Sequence, residues 1–173
     1  MNNNEFMQQQ YVALRAEIDQ STSRMFWLLI IGMGMVMLSG YMISEHPSSF
    51  GNVGLPFFLL AILISFINEQ NNISRAGKYL REVIEPNFPD ITGWEKWLTT
   101  KSEFRETDRA YFISFSVFFL VLFAISASLT LARIAASADV SQHYLWGTII
   151  AYTLSGLCVL YVVVRHWRSS TSL

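Results

Sequence analysis

The sequence predicts an all-α integral membrane protein, a four-helix chain with helical cytoplasmic extensions, and three observations predict it. Of its 173 residues 52% are hydrophobic and only 14% charged, against about 25% charged in an average soluble domain. Four stretches of 20, 22, 23 and 21 residues contain no Asp, Glu, Lys, Arg or His: 25–44, 47–68, 110–132 and 144–164. The charges that do exist are gathered between those stretches. A hydrocarbon core about 30 Å thick takes roughly 20 apolar residues in a helix. Backbone polar groups in lipid must be satisfied within the segment, so each span is expected to be helical. A net charge of −1 supplies no basic field for nucleic acid. The single cysteine, Cys158, rules out a disulfide within the chain.

Residues 1–24 read as a cytoplasmic N-terminal helix. Met7, Tyr11, Leu14 and Ile18 recur at helical spacing, and Met25 continues the stripe one heptad after Ile18. Ser21 interrupts it. The stripe has two readings: packing on the protein's own central loop, or a coiled-coil-like contact between subunits. No Pro or Gly intervenes before Gly32, so this helix is expected to run on into the first span, 25–44. A cleaved signal peptide fits that span badly, because 24 largely polar residues precede it and residues 2–4 are asparagines, not a basic n-region.

The second span is read as 53–68. The polar run 68–72 that follows has no Gly or Pro, and Ile73, Ala76, Leu80, Val83 and Ile84 restore helical periodicity. Pro86 disfavours helix at the residue before it, so the helix is expected to end near Glu85. Residues 86–91 then form a loop. Thr92 and Glu95 have capping-box spacing and open a new helix, on which Trp94, Trp97 and Leu98 lie close to one face. Those tryptophans suit either the headgroup level or packing against the N-terminal helix. The cytoplasmic helical loop thus covers 69–109, the third span 110–132, the fourth 144–164 and the tail 165–173.

Lysine and arginine placement orients the chain. Eleven of the twelve basic residues fall in the N-terminal segment, the 69–109 loop and the tail, and only Arg133 falls on the other side. The positive-inside rule therefore puts both termini and the long loop in the cytoplasm. Trp27, Trp146 and Trp167 sit near span ends, as aromatic belt residues do.

The motifs of enzymes are missing. The sequence has no P-loop, no Gly-rich dinucleotide fingerprint and no HExxH, so neither an enzyme nor a cofactor is expected. A metal site built from Glu45, His46, Asp139 and His143 is conceivable, but solvated loop residues are the better reading. Cys158, inside span four, is expected to behave as a buried small hydrophobe. The span interiors hold no Asp, Glu, Lys or Arg, which argues against a proton-coupled pump or transporter and leaves room for a pore lined by hydroxyls and apolar gates. Small and hydroxyl residues are concentrated instead. Gly147, Ala151 and Ser155 form a small-xxx-small face on span four. Ser126 and Thr130 mark span three, with Arg133 at its end, where it would either ring an outer mouth or snorkel to headgroups. These faces suit helix packing or pore lining. Four spans are too few for a roomy pore, so conduction implies a cyclic homo-oligomer, for which a tetramer is one candidate.

Two stretches also look familiar: Tyr11, Leu14, Arg15, Glu17 and Ile18 ahead of a Gly-rich first span, and Gly77-Lys78-Tyr79-Leu80-Arg81, Ile84-Glu85-Pro86 and Gly93-Trp94-Glu95. They resemble a group of small bacterial four-span membrane proteins, some of which serve as membrane effectors of antiphage defence. The nearest functional parallel is the membrane effector of the Hailong system, an ion channel held inactive by nucleotide signals from a partner nucleotidyltransferase. The similarity covers the N-terminal third and the central loop; spans three and four match only as generic apolar helices. The resemblance brings no catalytic residues. It implies that the cytoplasmic part is regulatory, with Arg75, Lys78 and Arg81 able to meet an oligonucleotide phosphate or, as the positive-inside rule already requires, anionic lipid. The expected function is an oligomeric channel or membrane-disrupting effector gated from the cytoplasm. The alternative is a scaffolding subunit that recruits a soluble partner through its cytoplasmic helices.

Overall fold

The computed structural model describes residues 3–45, 51–88, 93–137 and 140–171. Among them every regular element is helical: α1 (Asn3–Glu45), α2 (Gly51–Tyr79), a π-helical stretch (Leu80–Ile84), a 3-10 turn (Glu85–Asn87), α3 (Trp94–Thr100), α4 (Ser102–Ala136) and α5 (Gln142–Thr171). Four helices, α1, α2, α4 and α5, are long and apolar enough to cross a membrane. α1, α4 and α5 overrun their uncharged stretches at both ends, and α2 overruns its stretch at the C-terminal end. α1 begins 22 residues before position 25, and α5 continues through most of the 165–173 tail. The reason is the one the sequence suggests: α4 contains neither Gly nor Pro, and α1 contains no Pro, so nothing forces an end at the edge of the apolar run.

The helix that continues α2 ends close to Glu85, as expected, and what the sequence does not show is a change of pitch there. Glu85, the residue before Pro86, keeps right-handed helical angles, and the helical path continues to Asn87. The hydrogen-bond ladder accommodates the proline by changing pitch. The Glu85 N–H reaches back five residues to the Leu80 carbonyl, the widened spacing of a π turn. Pro86 has no N–H to give, and the Asn87 side-chain amide donates to the Val83 carbonyl at 2.6 Å. The turn closes with the Phe88 N–H on the Glu85 carbonyl at 3.1 Å.

The start of α3 is a correction. Thr92 lies outside the described residues, and Gly93, in extended conformation, occupies the N-cap without a side-chain cap. The cap comes from elsewhere in the chain. Glu85 Oε1 accepts the Glu95 N–H at 2.8 Å, and its Oε2 accepts the Lys96 N–H at 2.9 Å. A carboxylate there satisfies two of the donors a helix leaves open at its N-terminus.

The chain divides into two compact units. One comprises Met1–Trp27 and Asn68–Ile113, the other Leu28–Ile67 and Ser114–Leu173. The first packs around Ser21, Met25, Ala76, Leu80, Ile84 and Phe112, all buried. The second packs around Leu59, Leu63, Phe66 and Phe119. Within it, the rings of Phe66 and Phe115 stack at 3.7 Å and those of Phe115 and Phe119 at 4.7 Å. Gly32 makes this possible, since a Cβ there would lie 2.7 Å from Phe119 Cζ and 3.2 Å from Ile62 Cδ1. Where lipid tails are as apolar as leucine, such close van der Waals fit is what holds helices together.

Candidate functional site

In the first unit the two familiar stretches of sequence meet. Arg15 Nη1 pairs with Glu95 Oε1 at 3.0 Å, and Arg15 Nε donates to the Tyr11 hydroxyl at 3.3 Å. The guanidinium lies 5.4 Å from the Tyr11 ring centre and 5.9 Å from that of Trp94, within cation–π range. Its Nη2 is buried with no hydrogen-bond partner among the described residues. Two glycines admit the carboxylates. A Cβ on Gly77 would come within 3.0 Å of Glu95 Oε2, and one on Gly93 would overlap the Glu85 carboxyl group. The Tyr79 O–H reaches Gln10 Oε1 at 3.5 Å. The helix that carries the Met7–Ile18 stripe thus meets the central segment through Gln10 and Arg15.

A second clamp stands nine residues further along α1. Arg24 presents Nε and Nη2 to the two oxygens of Glu69, each at 3.0 Å. This is the fork geometry that makes arginine–carboxylate pairs directional. Nη2 also donates to Ser21 Oγ at 2.9 Å. Ser21, which the sequence presents as a break in an apolar stripe, is fully buried and is the polar seat of this pair.

Electrostatics distinguish Glu95. Burial pushes its carboxyl above the ordinary carboxylate range; the Arg15 charge opposes the shift and the nearby Glu85 adds to it.

The basic residues expected to meet phosphate are arranged singly. Arg75 is exposed and donates to the Asn71 carbonyl at 3.4 Å and to the Asn72 side chain. Lys78 is exposed. Arg81, in the π stretch, pairs with the adjacent Glu82 at 3.3 Å.

In the second unit the hydroxyl residues turn inward on their own helices. Thr130, buried, donates to the Ser126 carbonyl at 2.9 Å, and Ser155 to the Tyr152 carbonyl at 3.1 Å. Ala151 is partly buried, whereas Gly147 is exposed. A Cβ on Gly147 would meet nothing within 4 Å; the tight glycine of α5 is Gly156, 3.0 Å from the Phe123 ring. The small-residue face therefore makes no close approach at Gly147 among the described residues. Arg133 is half-buried, and its Nη1 has no hydrogen-bond partner among the described residues. Cys158 is exposed rather than buried. Of the conceived metal ligands, His46 and Asp139 lie outside the described residues, and among those described no three His, Cys, Asp or Glu gather.

Two residues that sequence reasoning passed over stand out here. Tyr152 is buried, donates its hydroxyl to the Val53 carbonyl at 2.8 Å, and packs on Phe57 at 5.0 Å and Phe123 at 6.3 Å. Its signal in the sequence is a phenol in the middle of an uncharged stretch, where the O–H needs a partner. Ser116 is buried, and its Oγ has no hydrogen-bond partner among the described residues; with Ser114 two positions earlier, nothing in the sequence selects it. Comparisons with known protein families, with curated proteins and with solved structures find no match for this chain.

Proposed function

We propose that the chain is a multi-pass protein of the bacterial inner membrane, with both termini cytoplasmic. It assembles as a homo-oligomer into a channel or membrane-disrupting effector controlled from the cytoplasmic side. The observation that carries this reading is the division of labour along the four long helices. Their uncharged stretches are joined to a compact unit that holds the Arg15–Glu95 and Arg24–Glu69 pairs. That unit is where an input would act. In keeping with the resemblance to membrane effectors of antiphage defence, the input we propose is a nucleotide signal made by a partner nucleotidyltransferase, with Arg75, Lys78 and Arg81 as its phosphate contacts.

The test is ion flux through the purified protein in liposomes, with and without short oligonucleotides. Dye or ion release that depends on the protein, and that changes on adding oligonucleotide, supports the reading. A stable assembly that releases nothing under any ligand favours a scaffolding subunit. Replacing Arg75, Lys78 and Arg81 with glutamine is expected to weaken oligonucleotide binding and flatten its salt dependence; unchanged affinity removes those three residues from the site.

A further inference from the structure

α3 carries a polar side and an aromatic side, and Arg15 meets both, pairing with Glu95 and lying 5.9 Å from the Trp94 ring centre. On the polar side Glu95 is held by Arg15, and the first two free N–H groups are held by Glu85. On the other side three rings form a continuous run. Trp94 and Trp97 lie 5.3 Å apart, and Trp97 and Phe104 5.7 Å apart. All three remain exposed, at 51%, 37% and 44%. A packed aromatic ridge left this open is costly in water, because each ring withholds a large apolar area from burial.

Its place along the chain says what covers it. Phe104 stands six residues before Ala110, where the uncharged stretch of α4 begins, a rise of about 9 Å along a helix. The polar zone on each side of the hydrocarbon core is roughly 5–8 Å deep, and a tilted helix shortens the rise along the normal. The ridge is also continuous with the apolar surface of α4. Phe104 and Tyr111 are seven residues apart on one stripe of α4, and both are exposed. The exposed charges around the ridge are mixed, Lys96 and Lys101 on α3 and its C-cap and Glu103 and Glu106 at the start of α4.

We infer that α3 is an interfacial element: the Trp94–Trp97–Phe104 ridge lies in the headgroup zone of the bilayer that the four long helices cross, with Lys96 and Lys101 against anionic headgroups. The inference rests on the membrane reading proposed above. It makes α3 a rigid link, clamped to α1 through Glu95 on one side and bound to lipid on the other. Aromatic rings with one apolar body and one polar edge are the residues that occupy this zone.

Tryptophan depth measurement tests it. A variant with Trp27, Trp146 and Trp167 changed to Phe leaves Trp94 and Trp97 as the reporters; a second variant keeps Trp146 alone. Both are reconstituted in phosphatidylcholine–phosphatidylglycerol liposomes containing lipids brominated near the headgroup or deep in the tails. The expected result is blue-shifted emission from Trp94 and Trp97, with stronger quenching by shallow bromines than by deep ones. If Trp146 is quenched and Trp94 and Trp97 respond only to aqueous iodide, the ridge faces water or a protein partner; the inference fails while the membrane reading stands. If neither reporter is quenched by any brominated lipid, both fail. The unmodified protein gives an independent answer by hydroxyl-radical footprinting in nanodiscs. Trp94 and Trp97 oxidised no faster than Trp146 agrees with the inference, and oxidation at the rate of a free surface tryptophan overturns it.

Discussion

Gly93 and Gly32 are small for different reasons, and each makes a prediction at the scale of a single residue. A methyl group on Gly93 would occupy the space of the Glu85 carboxyl, so Gly93→Ala displaces the cap from the Glu95 and Lys96 amides. Losing two charge-assisted hydrogen bonds at a helix start costs about 1–3 kcal/mol. Faster hydrogen exchange at those two amides is the expected readout. Gly32→Ala forces a Cβ against Phe119, which is fully buried and stacked on Phe115. Overpacking of this kind costs about 1–3 kcal/mol, seen as a lowered unfolding temperature in detergent. Gly34→Ala is the control, since its Cβ meets nothing within 4 Å among the described residues, and no fall in the unfolding temperature is expected.

At the scale of elements, α3 is held by two carboxylates, and one of them is sensitive to pH. Burial raises the Glu95 carboxyl above its ordinary value of 4.5. The folded state therefore binds a proton more readily than the unfolded state, and the unfolded state binds fewer protons between 4.5 and the raised value. Stability of the α1–α3 contact accordingly falls as pH rises through that window and is regained as pH falls. Exchange protection of the α3 amides, followed from pH 4 upward as an order-of-magnitude range, is expected to decline across the window. Glu95→Gln removes the decline. The π stretch is the other feature of this scale. Pro86→Ala restores the missing donor, and the ladder from Leu80 to Asn87 is expected to return to ordinary α pitch. That rotates Glu85 relative to Gly93 and again exposes the first amides of α3 to exchange.

At the scale of the whole molecule the prediction concerns assembly. Gly147 is exposed and Ala151 partly so, and no neighbour among the described residues comes near Gly147. In the proposed homo-oligomer this face of α5 is the surface on which another subunit can approach closely. Gly147→Leu combined with Ala151→Leu is expected to change oligomer size, measured by light scattering in detergent or by native mass spectrometry. An unchanged size together with unchanged flux assigns the face to lipid.

How much was legible in the sequence follows from the range of each force. The four long helices were legible because uncharged runs of 20 or more residues are a local property of the chain. The helical continuation past 68 and its end near Glu85 were legible for the same reason, since periodicity and a missing N–H act within a turn or two. The partners were not legible. Arg15 meets Glu95, and Arg24 meets Glu69, across separations of 80 and 45 residues, and nothing in local composition couples them. Ser21 read as a flaw in a stripe until its contact with Arg24 was seen. The cap of α3 was sought in Thr92, its near neighbour, and Glu85 supplies it from the preceding turn because Gly93 leaves the space. By itself the sequence determined that the chain is helical and where charge is excluded, because burial in lipid is decided segment by segment. Only the tertiary structure decided which charges pair and which glycines are tight, because those depend on atoms brought within a few ångströms by distant parts of the chain.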